Sequence, residues 1–315
     1  MSSKIHKIKI SNFKSIVDFE ADFQGCTAIV TGANNSGKSS LLRGITDRIR
    51  FVRPDVMVRN GEKEGMGEMI LTTGEKFVWE FNAIGKDKLT LITTEGLKHS
   101  VTTEIGKKFF PSLFDIDKFL QSAPKSQVKQ LQTIVGLDFT EIDARYDKAY
   151  ITEMPDQTEL DKIDAQIVKV SEINASAQKY KEYIDLKTST EEAKHIAHRA
   201  NEAVVAIEAE RKQMIESVNM PEGITFGTDG ILVDGLPLDK NQISTSKLYC
   251  AALRIASMNL GEVKTLYFDA SFLDRNTLSE IEAWANGHDL QLLIERPDFE
   301  AGELRYEIIE TVNHE

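Results

Sequence analysis

The sequence predicts an α/β fold divided into two lobes by an antiparallel pair of long helices, and three observations predict it. The β-prone run Thr27-Ala-Ile-Val-Thr31 leads directly into a glycine-bearing loop, after which Leu41, Leu42 and Ile45 recur at helical spacing. Apolar side chains at Leu160, Ile163, Ile167, Val170, Ala177 and Ile184, and again at Ala193, Ile196, Ala200, Ala203, Ile207 and Met214, follow a three-four spacing in an otherwise polar stretch. After Pro221 the β-prone character returns. The expected division is an N-terminal lobe at 1–139, a coiled-coil hairpin at 140–220 and a C-terminal lobe at 221–315.

Each element follows from its own pattern. Residues 4–10 alternate apolar and basic side chains, the period of a strand with one buried face, and a second short strand fits 16–23. Further strands are expected at Met69-Ile-Leu-Thr, Phe77-Val-Trp-Glu-Phe and Leu89-Thr-Leu-Ile, separated by Gly-containing turns. In the helical stretch, Asn174 interrupts the first arm and Pro155 breaks its base. Thr188 and Ser189 each precede a Glu by three positions, so Asp185–Thr190 is expected to be the tip at which the second arm starts. Beyond it come strands at Ile224-Thr-Phe and 230–236, a helix from Ser244 to Met258 and a strand at Thr265-Leu-Tyr-Phe-Asp269. A helix near 276–286 and a strand at Leu290-Gln-Leu-Leu-Ile294 close the pattern.

With 315 residues, 41% hydrophobic and 28% charged, the chain can bury a sizeable core. No apolar run approaches the roughly 20 residues that span a bilayer, and the opening Met-Ser-Ser-Lys-Ile-His-Lys has no apolar core behind its charges. A soluble, cytoplasmic protein without a membrane partner is expected. The two cysteines, Cys26 and Cys250, are far apart beside apolar residues and read as buried, reduced thiols. A net charge of −12 excludes a surface that is basic all over. Contact with nucleic acid would therefore need a local cluster, and Lys4, Lys7, Lys9 and Lys14 form one, with Lys107 and Lys108 a second pair.

The loop Gly32-Ala-Asn-Asn-Ser-Gly-Lys-Ser39 has the spacing that cradles a triphosphate. Gly32 and Gly37 let successive N–H groups face one anion, with Asn34, Asn35, Ser36 and Ser40 completing the wall. Lys38 brings a positive charge to the β- and γ-phosphates, and Ser39 offers a hydroxyl to Mg²⁺ at the start of a helix. ATP and Mg²⁺ are the expected ligands. Asp269, at the end of a predicted strand, is the best acidic partner for the metal.

The block after Asp269, Ser271-Phe-Leu-Asp274, resembles the Ser-Ala-Leu-Asp loop of ABC-type ATPases. The layout as a whole resembles the SMC, RecF and Sbc-type branch of that class, which works on DNA. Ile10-Ser-Asn-Phe-Lys-Ser15 looks like the first-strand motif of the branch, in which Lys14 and Ser15 approach the nucleotide. Residues 119–136 look like the segment before the coiled coil in Sbc-type proteins, and Gln242-Ile-Ser-Thr-Ser-Lys247 falls where the signature motif stands. The resemblance implies an ABC-type ATPase head that forms an ATP-dependent homodimer. In it Ser244 and Ser246 of one copy would close on the γ-phosphate held by the other, and Asp274 is expected to be a further nucleotide-binding residue. Read without the resemblance, Ser244-Thr-Ser is a helix cap.

Three departures from that pattern stand out. The glutamate that follows the metal-binding Asp in active members is Ala270, and a methyl group cannot orient water. The switch histidine after the next strand is replaced by Glu295, which would have to orient the water instead. No Gln matches the metal-contacting loop glutamine, leaving Asp115 or Asp117 to serve. Slow hydrolysis is expected, from a natural or an introduced Ala270. Residues 185–190 contain no Cys, which excludes a zinc hook there and leaves the hairpin to dock a nuclease or other effector protein. The expected function is an SMC-like or Sbc-like ATPase in DNA recombination, repair or end processing. The alternative is a nucleotide-sensing clamp or defence-system scaffold, and a transporter subunit is disfavoured because the hairpin separates the lobes.

Overall fold

The computed structural model describes residues 2–52, 54, 57–111, 114–152, 177–227, 230–298 and 302–309. Two compact units arise, one from Met1–Lys129 with Pro221–Glu315 and the other from Gln130–Met220. The first opens with strands β1 (Ile5–Phe13), β2 (Ile16–Asp22) and β3 (Ala28–Gly32), then helix α1 (Lys38–Ile49). Strands β4 (Glu64–Leu71), β5 (Lys76–Asn82), β6 (Asp87–Ile92) and β7 (Lys98–Ser100) follow, then helices α2 (Thr103–Phe109), α3 (Ile116–Gln121) and α4 (Pro124–Val135). In β1 the buried residues are Ile5, Ile8, Ile10 and Phe13. The three-residue step from Ile5 to Ile8 breaks strict alternation because the pairing with β4 slips between Ile5 and Lys7.

Helix α5 (Thr140–Asp147), a π-helical turn at Lys148–Thr152 and the long helix α6 (Ala177–Glu216) belong to the second unit. The chain then returns through β8 (Ile224–Phe226), β9 (Ile231–Val233) and β10 (Leu236–Pro237) to helix α7 (Thr245–Ser257). Strand β11 (Thr265–Asp269), helix α8 (Arg275–Gly287), β12 (Gln291–Pro297) and β13 (Arg305–Ile308) complete it. Among the described residues no helix is long and apolar enough to cross a membrane.

Among the described residues three sheets make the first unit, a small antiparallel one, β10-β9-β8, and two larger ones. Of the larger two, one is antiparallel, in the order β2-β1-β4-β5-β6-β7; the other runs β11-β12-β3-β13, with β12 parallel to both β11 and β3 and β13 antiparallel to β3. Helix α1 packs on β1 and β4 of the first sheet and on β3 and β12 of the second, so Leu41, Ile45 and Ile49 share one core with Ile8, Phe13, Trp79, Val30 and Leu293. Burying a side chain of this size stabilises the fold by about 1.5–3 kcal/mol. A polar link joins these two larger sheets as well. Gln291, fully buried, accepts hydrogen bonds at Oε1 from Ile5 N–H (2.9 Å) and the Thr265 hydroxyl (2.7 Å). Its Nε2 donates to the carbonyls of Ile5 (2.8 Å) and Cys26 (2.9 Å), so the amide has all four of its bonds.

The second unit corrects the expected hairpin tip. Helix α6 runs without a break through Asp185–Thr190. Instead of capping a new helix, Thr188 and Thr190 donate their hydroxyls to the carbonyls four residues back, Ile184 and Leu186, each at 2.9 Å. Leu186, Thr190, Ala193, Ala197, Ala200, Val204, Ile207, Arg211 and Met214 form a four-three alternation of side chains shielded from solvent, with Ala203 of the expected seam and Ile215 partly shielded beside it. Ile196, expected in the seam, is 42% exposed, and Ile184 is exposed too. Near its end α6 is tied to α5 by ion pairs of Arg211 with Asp143 (3.2 Å) and Glu210 with Arg145 (2.9 Å). The first arm at Leu160, Ile163, Ile167 and Val170, with Pro155 and Asn174, lies outside the described residues.

Candidate functional site

Strand β3 ends at Gly32 and α1 begins at Lys38, so the loop 33–37 sits at the carboxyl end of the mixed sheet, where ligands of α/β folds bind. Gly37 has φ 104°, a left-handed conformation that side chains disfavour, and a Cβ there would lie 2.6 Å from Ile16 Cγ1. That contact brings the turn between β1 and β2, with Lys14 and Ser15, onto the loop. A Cβ on Gly32 would meet Ser36 Oγ at 2.5 Å, and this Oγ is buried without a hydrogen-bond partner. Lys38 is buried and folds back over the loop, its Nζ donating to the carbonyls of Gly32 (2.9 Å) and Ala33 (3.0 Å). The result is an open cleft of about 400 Å³, lined by Lys14, Ser15, Asn35, Gly37, Lys38, Ser39, Ser40 and Glu295. A volume of that order suits a small-molecule ligand.

Glu295 is the carboxylate that reaches this cleft. β12 lies between β11 and β3, with Glu295 opposite Asp269 on one side and Val30 on the other. The Ser39 hydroxyl lies 2.9 and 2.8 Å from the two Glu295 carboxylate oxygens and donates to them. Asp269, by contrast, turns onto its own loop: Oδ1 accepts from Ser271 N–H (2.8 Å) and from the Ser271 hydroxyl. Ala270 is fully buried, and its N–H donates to the Glu295 carbonyl at 2.9 Å. The two strand ends are thus fastened together, with only a methyl group where a water-orienting carboxylate is expected.

The donor set fits a magnesium-bound triphosphate. Ser39 and Glu295 offer hard oxygen ligands side by side, and Mg²⁺ takes one or two such groups together with phosphate oxygens and water. Among the described residues no trio of His, Cys, Asp or Glu converges to form an all-protein metal cage. Lys38 and Lys14 supply positive charge, and the bonds Lys38 makes to loop carbonyls are ones that phosphate oxygens can replace.

Other predicted residues are placed elsewhere. Asp115 does not line the cleft; it caps α3 by accepting from Lys118 N–H (3.0 Å) and pairs with Arg43 on α1 at 3.2 Å. Asp117 accepts a hydrogen bond from the Tyr249 hydroxyl at 2.6 Å. Burial first, then this bond, pushes the Tyr249 phenol well above its ordinary pKa, and Asp269 adds to the effect. Ser244 caps α7, accepting from Lys247 N–H (3.3 Å), and shares a hydrogen bond with Ser246 at 2.9 Å. Asp274 caps α8 through Thr277 N–H (2.8 Å), which holds its carboxyl below the usual range. None of these three lines the cleft of its own copy. Asn34 and Ser36 belong to the loop without lining the open cleft.

Two further expectations change. Cys26 is exposed rather than buried, because it follows the left-handed turn at Gln24 and Gly25 between β2 and β3, while Cys250 is half-buried. The basic cluster is largely neutralised: Lys7 and Lys9 both pair with Glu20 across β1 and β2, and Lys4 pairs with Asp289 at 2.6 Å. Lys108 pairs with Glu262 at 3.1 Å. Glu20 and Asp289 were missed because their proximity depends on strand register and on a contact across 285 residues of chain (289 − 4).

Comparison with known proteins gives one family and several structural likenesses. A family model described as AAA ATPase domain matches residues 4–286. No curated protein matches the chain. Among solved structures, the Smc head domain with an extended coiled coil from Pyrococcus furiosus, bound to the C-terminal domain of ScpA, is 17% identical. That match covers 98% of this chain and 96% of the other, with a TM-score of 0.48. The ATP-bound recombination mediator RecF of the RecFOR pathway is 17% identical over 96% of each chain, with a TM-score of 0.45.

Proposed function

The chain belongs to the AAA ATPase domain family, and from that premise we propose that it is an SMC-like or Sbc-like protein that dimerises on ATP, hydrolyses it slowly and acts in DNA recombination, repair or end processing. The observation that carries the reading is the convergence of Lys38, Ser39 and Glu295 on one cleft at the carboxyl end of the mixed sheet. There Lys38 and the loop N–H groups hold phosphate oxygens, and Mg²⁺ would supply charge neutralisation next to Ser39. Slow hydrolysis follows from Ala270, since losing a positioned general base costs about 10²–10⁴ in rate.

Dimerisation is supported by what faces outward. Ser244 is exposed at the N-terminus of α7, where free N–H groups favour an anion, and it lies apart from its own cleft. Phe272, in the loop between Asp269 and Asp274, is 75% exposed and suits contact with a second copy. The helical unit would dock a nuclease or other effector. Light scattering with ATP and with ADP tests the dimer; a monomer at saturating ATP and micromolar protein counts against it.

The DNA part rests on the motif resemblance, and the ion pairs of Lys4, Lys7 and Lys9 favour a second reading, a nucleotide-sensing clamp or scaffold that controls an effector. Duplex binding at several salt concentrations, with ATP, ADP or no nucleotide, separates the two. DNA-stimulated turnover and ATP-dependent binding support the first reading. Equal affinity in all three states, or none at low salt with ATP, leaves the scaffold.

A further inference from the structure

We infer that Glu295 makes nucleotide binding conditional on a divalent cation: its carboxylate repels a bare triphosphate from the cleft and becomes an attractive partner once a cation sits beside Ser39. The inference rests on the cleft being a triphosphate site, as proposed above, and adds how that site is regulated. The side chains lining the cleft carry two positive charges, Lys14 and Lys38, and one negative charge, Glu295. The negative charge is not at the margin. Both of its oxygens lie within 2.9 Å of the Ser39 hydroxyl, the group a phosphate loop offers to a metal.

A free triphosphate entering the cleft would face a carboxylate with no cation between them, and like charges a few ångströms apart repel. The Glu295 backbone has little freedom to move. It is fixed by parallel pairing to β3 and β11 and by the hydrogen bond from Ala270 N–H, and the side chain is already directed toward α1. A divalent cation reverses the sign. The Ser39 oxygen can give a lone pair to the cation while its O–H still donates to Glu295, so the existing hydrogen bond orients the serine as a ligand. The carboxylate then lies beside the cation and favours it.

Metal and nucleotide are thereby coupled: each raises the affinity for the other by the same factor, and Glu295 supplies part of that factor. Here the carboxylate adds a penalty that only the cation removes.

The test is equilibrium titration with a fluorescent ATP analogue, in excess MgCl₂ and in EDTA, for the wild-type protein, Glu295→Gln and Ser39→Ala. Thermal melts of each protein without nucleotide verify the fold. In the wild type, Mg²⁺ should raise affinity strongly. In Glu295→Gln the affinity in EDTA should rise by roughly tenfold, a coupling expected of one unit charge at short range. The ratio between the two conditions should shrink accordingly. Ser39→Ala should lose affinity in Mg²⁺ and change little in EDTA. If Glu295→Gln keeps the wild-type ratio, or binds more weakly in EDTA, the inference is overturned and the Glu295–Ser39 bond is a structural tie. If the wild type does not bind the analogue even in MgCl₂, the triphosphate assignment itself fails, which is a different result.

Discussion

The two ends of strand β12 treat polar side chains in opposite ways. At its start Gln291 is fully buried and has all four hydrogen bonds, to Ile5, Cys26 and Thr265, so nothing else can engage it. At its other end Glu295 faces an open cleft and is held by the Ser39 hydroxyl, a bond that a metal-bound ligand can rearrange. The two are only four positions apart. The closed end holds the two larger sheets together, and the open end offers groups whose bonds are exchangeable. Lys38 on the carbonyls of Gly32 and Ala33, and Asp269 on Ser271, follow the same pattern as Glu295. Binding can therefore reorganise one end of the sheet without loosening the other.

That contrast breaks first at Gln291. Gln291→Leu leaves the Ile5 N–H and C=O buried without partners, at about 1–3 kcal/mol each, so chemical denaturation should show a loss of about 2–6 kcal/mol. The folded fraction should still bind MgATP as the wild type does. A parallel loss of affinity would mean that the two ends are not independent.

At the open end the expected order is reversed. Lys38→Ala removes charge-assisted bonds worth about 1.5–3 kcal/mol, so MgATP affinity should fall about 10- to 100-fold while the melting temperature stays near wild type. Unchanged affinity would remove the phosphate loop from the site.

Ala270→Glu probes the boundary between the two. Because Ala270 is fully buried, the larger side chain should cost about 1–3 kcal/mol by overpacking, with no gain in steady-state ATP turnover. A stable variant with faster turnover would show that the pocket opens to accept the missing carboxylate.

The smallest effect is chemical. Cys26, at the turn that enters β3, is exposed, whereas burial pushes the half-buried Cys250 thiol up. Iodoacetamide at pH 8 should modify Cys26 well before Cys250, with little change in stability. Mass spectrometry of the digested protein reads the order directly.

Much of the architecture was legible because it is written in short-range patterns. The strand-loop-helix at 27–49 follows from a β-prone run, glycines at fixed spacing and apolar residues three to four apart. Helix α7 begins where the Ser244 cap places it, and α8, β11 and β12 fall close to their expected limits. The helices α2, α3 and α5 were not read, being seven, six and eight residues long, too short for a periodic signal. The supposed tip at Asp185–Thr190 failed for a related reason. Thr and Ser near a Glu satisfy a cap pattern, yet the hydroxyls of Thr188 and Thr190 serve as well inside a helix by bonding the carbonyl one turn back.

By itself the sequence determined the phosphate loop, the order of strands and helices around it, and the methyl group at Ala270 in place of a catalytic carboxylate. Each of these depends on residue types a few positions apart. Only the tertiary structure decided that Glu295 meets Ser39 across 256 residues, that Gln291 is saturated between β1 and β11, and that Glu20 and Asp289 neutralise the basic face. Those outcomes depend on which strands lie side by side and in which register, and an alternating pattern of apolar and polar residues specifies the buried face of a strand without naming its neighbour. In this chain the parallel neighbour of β3 is β12, and that single choice places a carboxylate beside the serine of the phosphate loop.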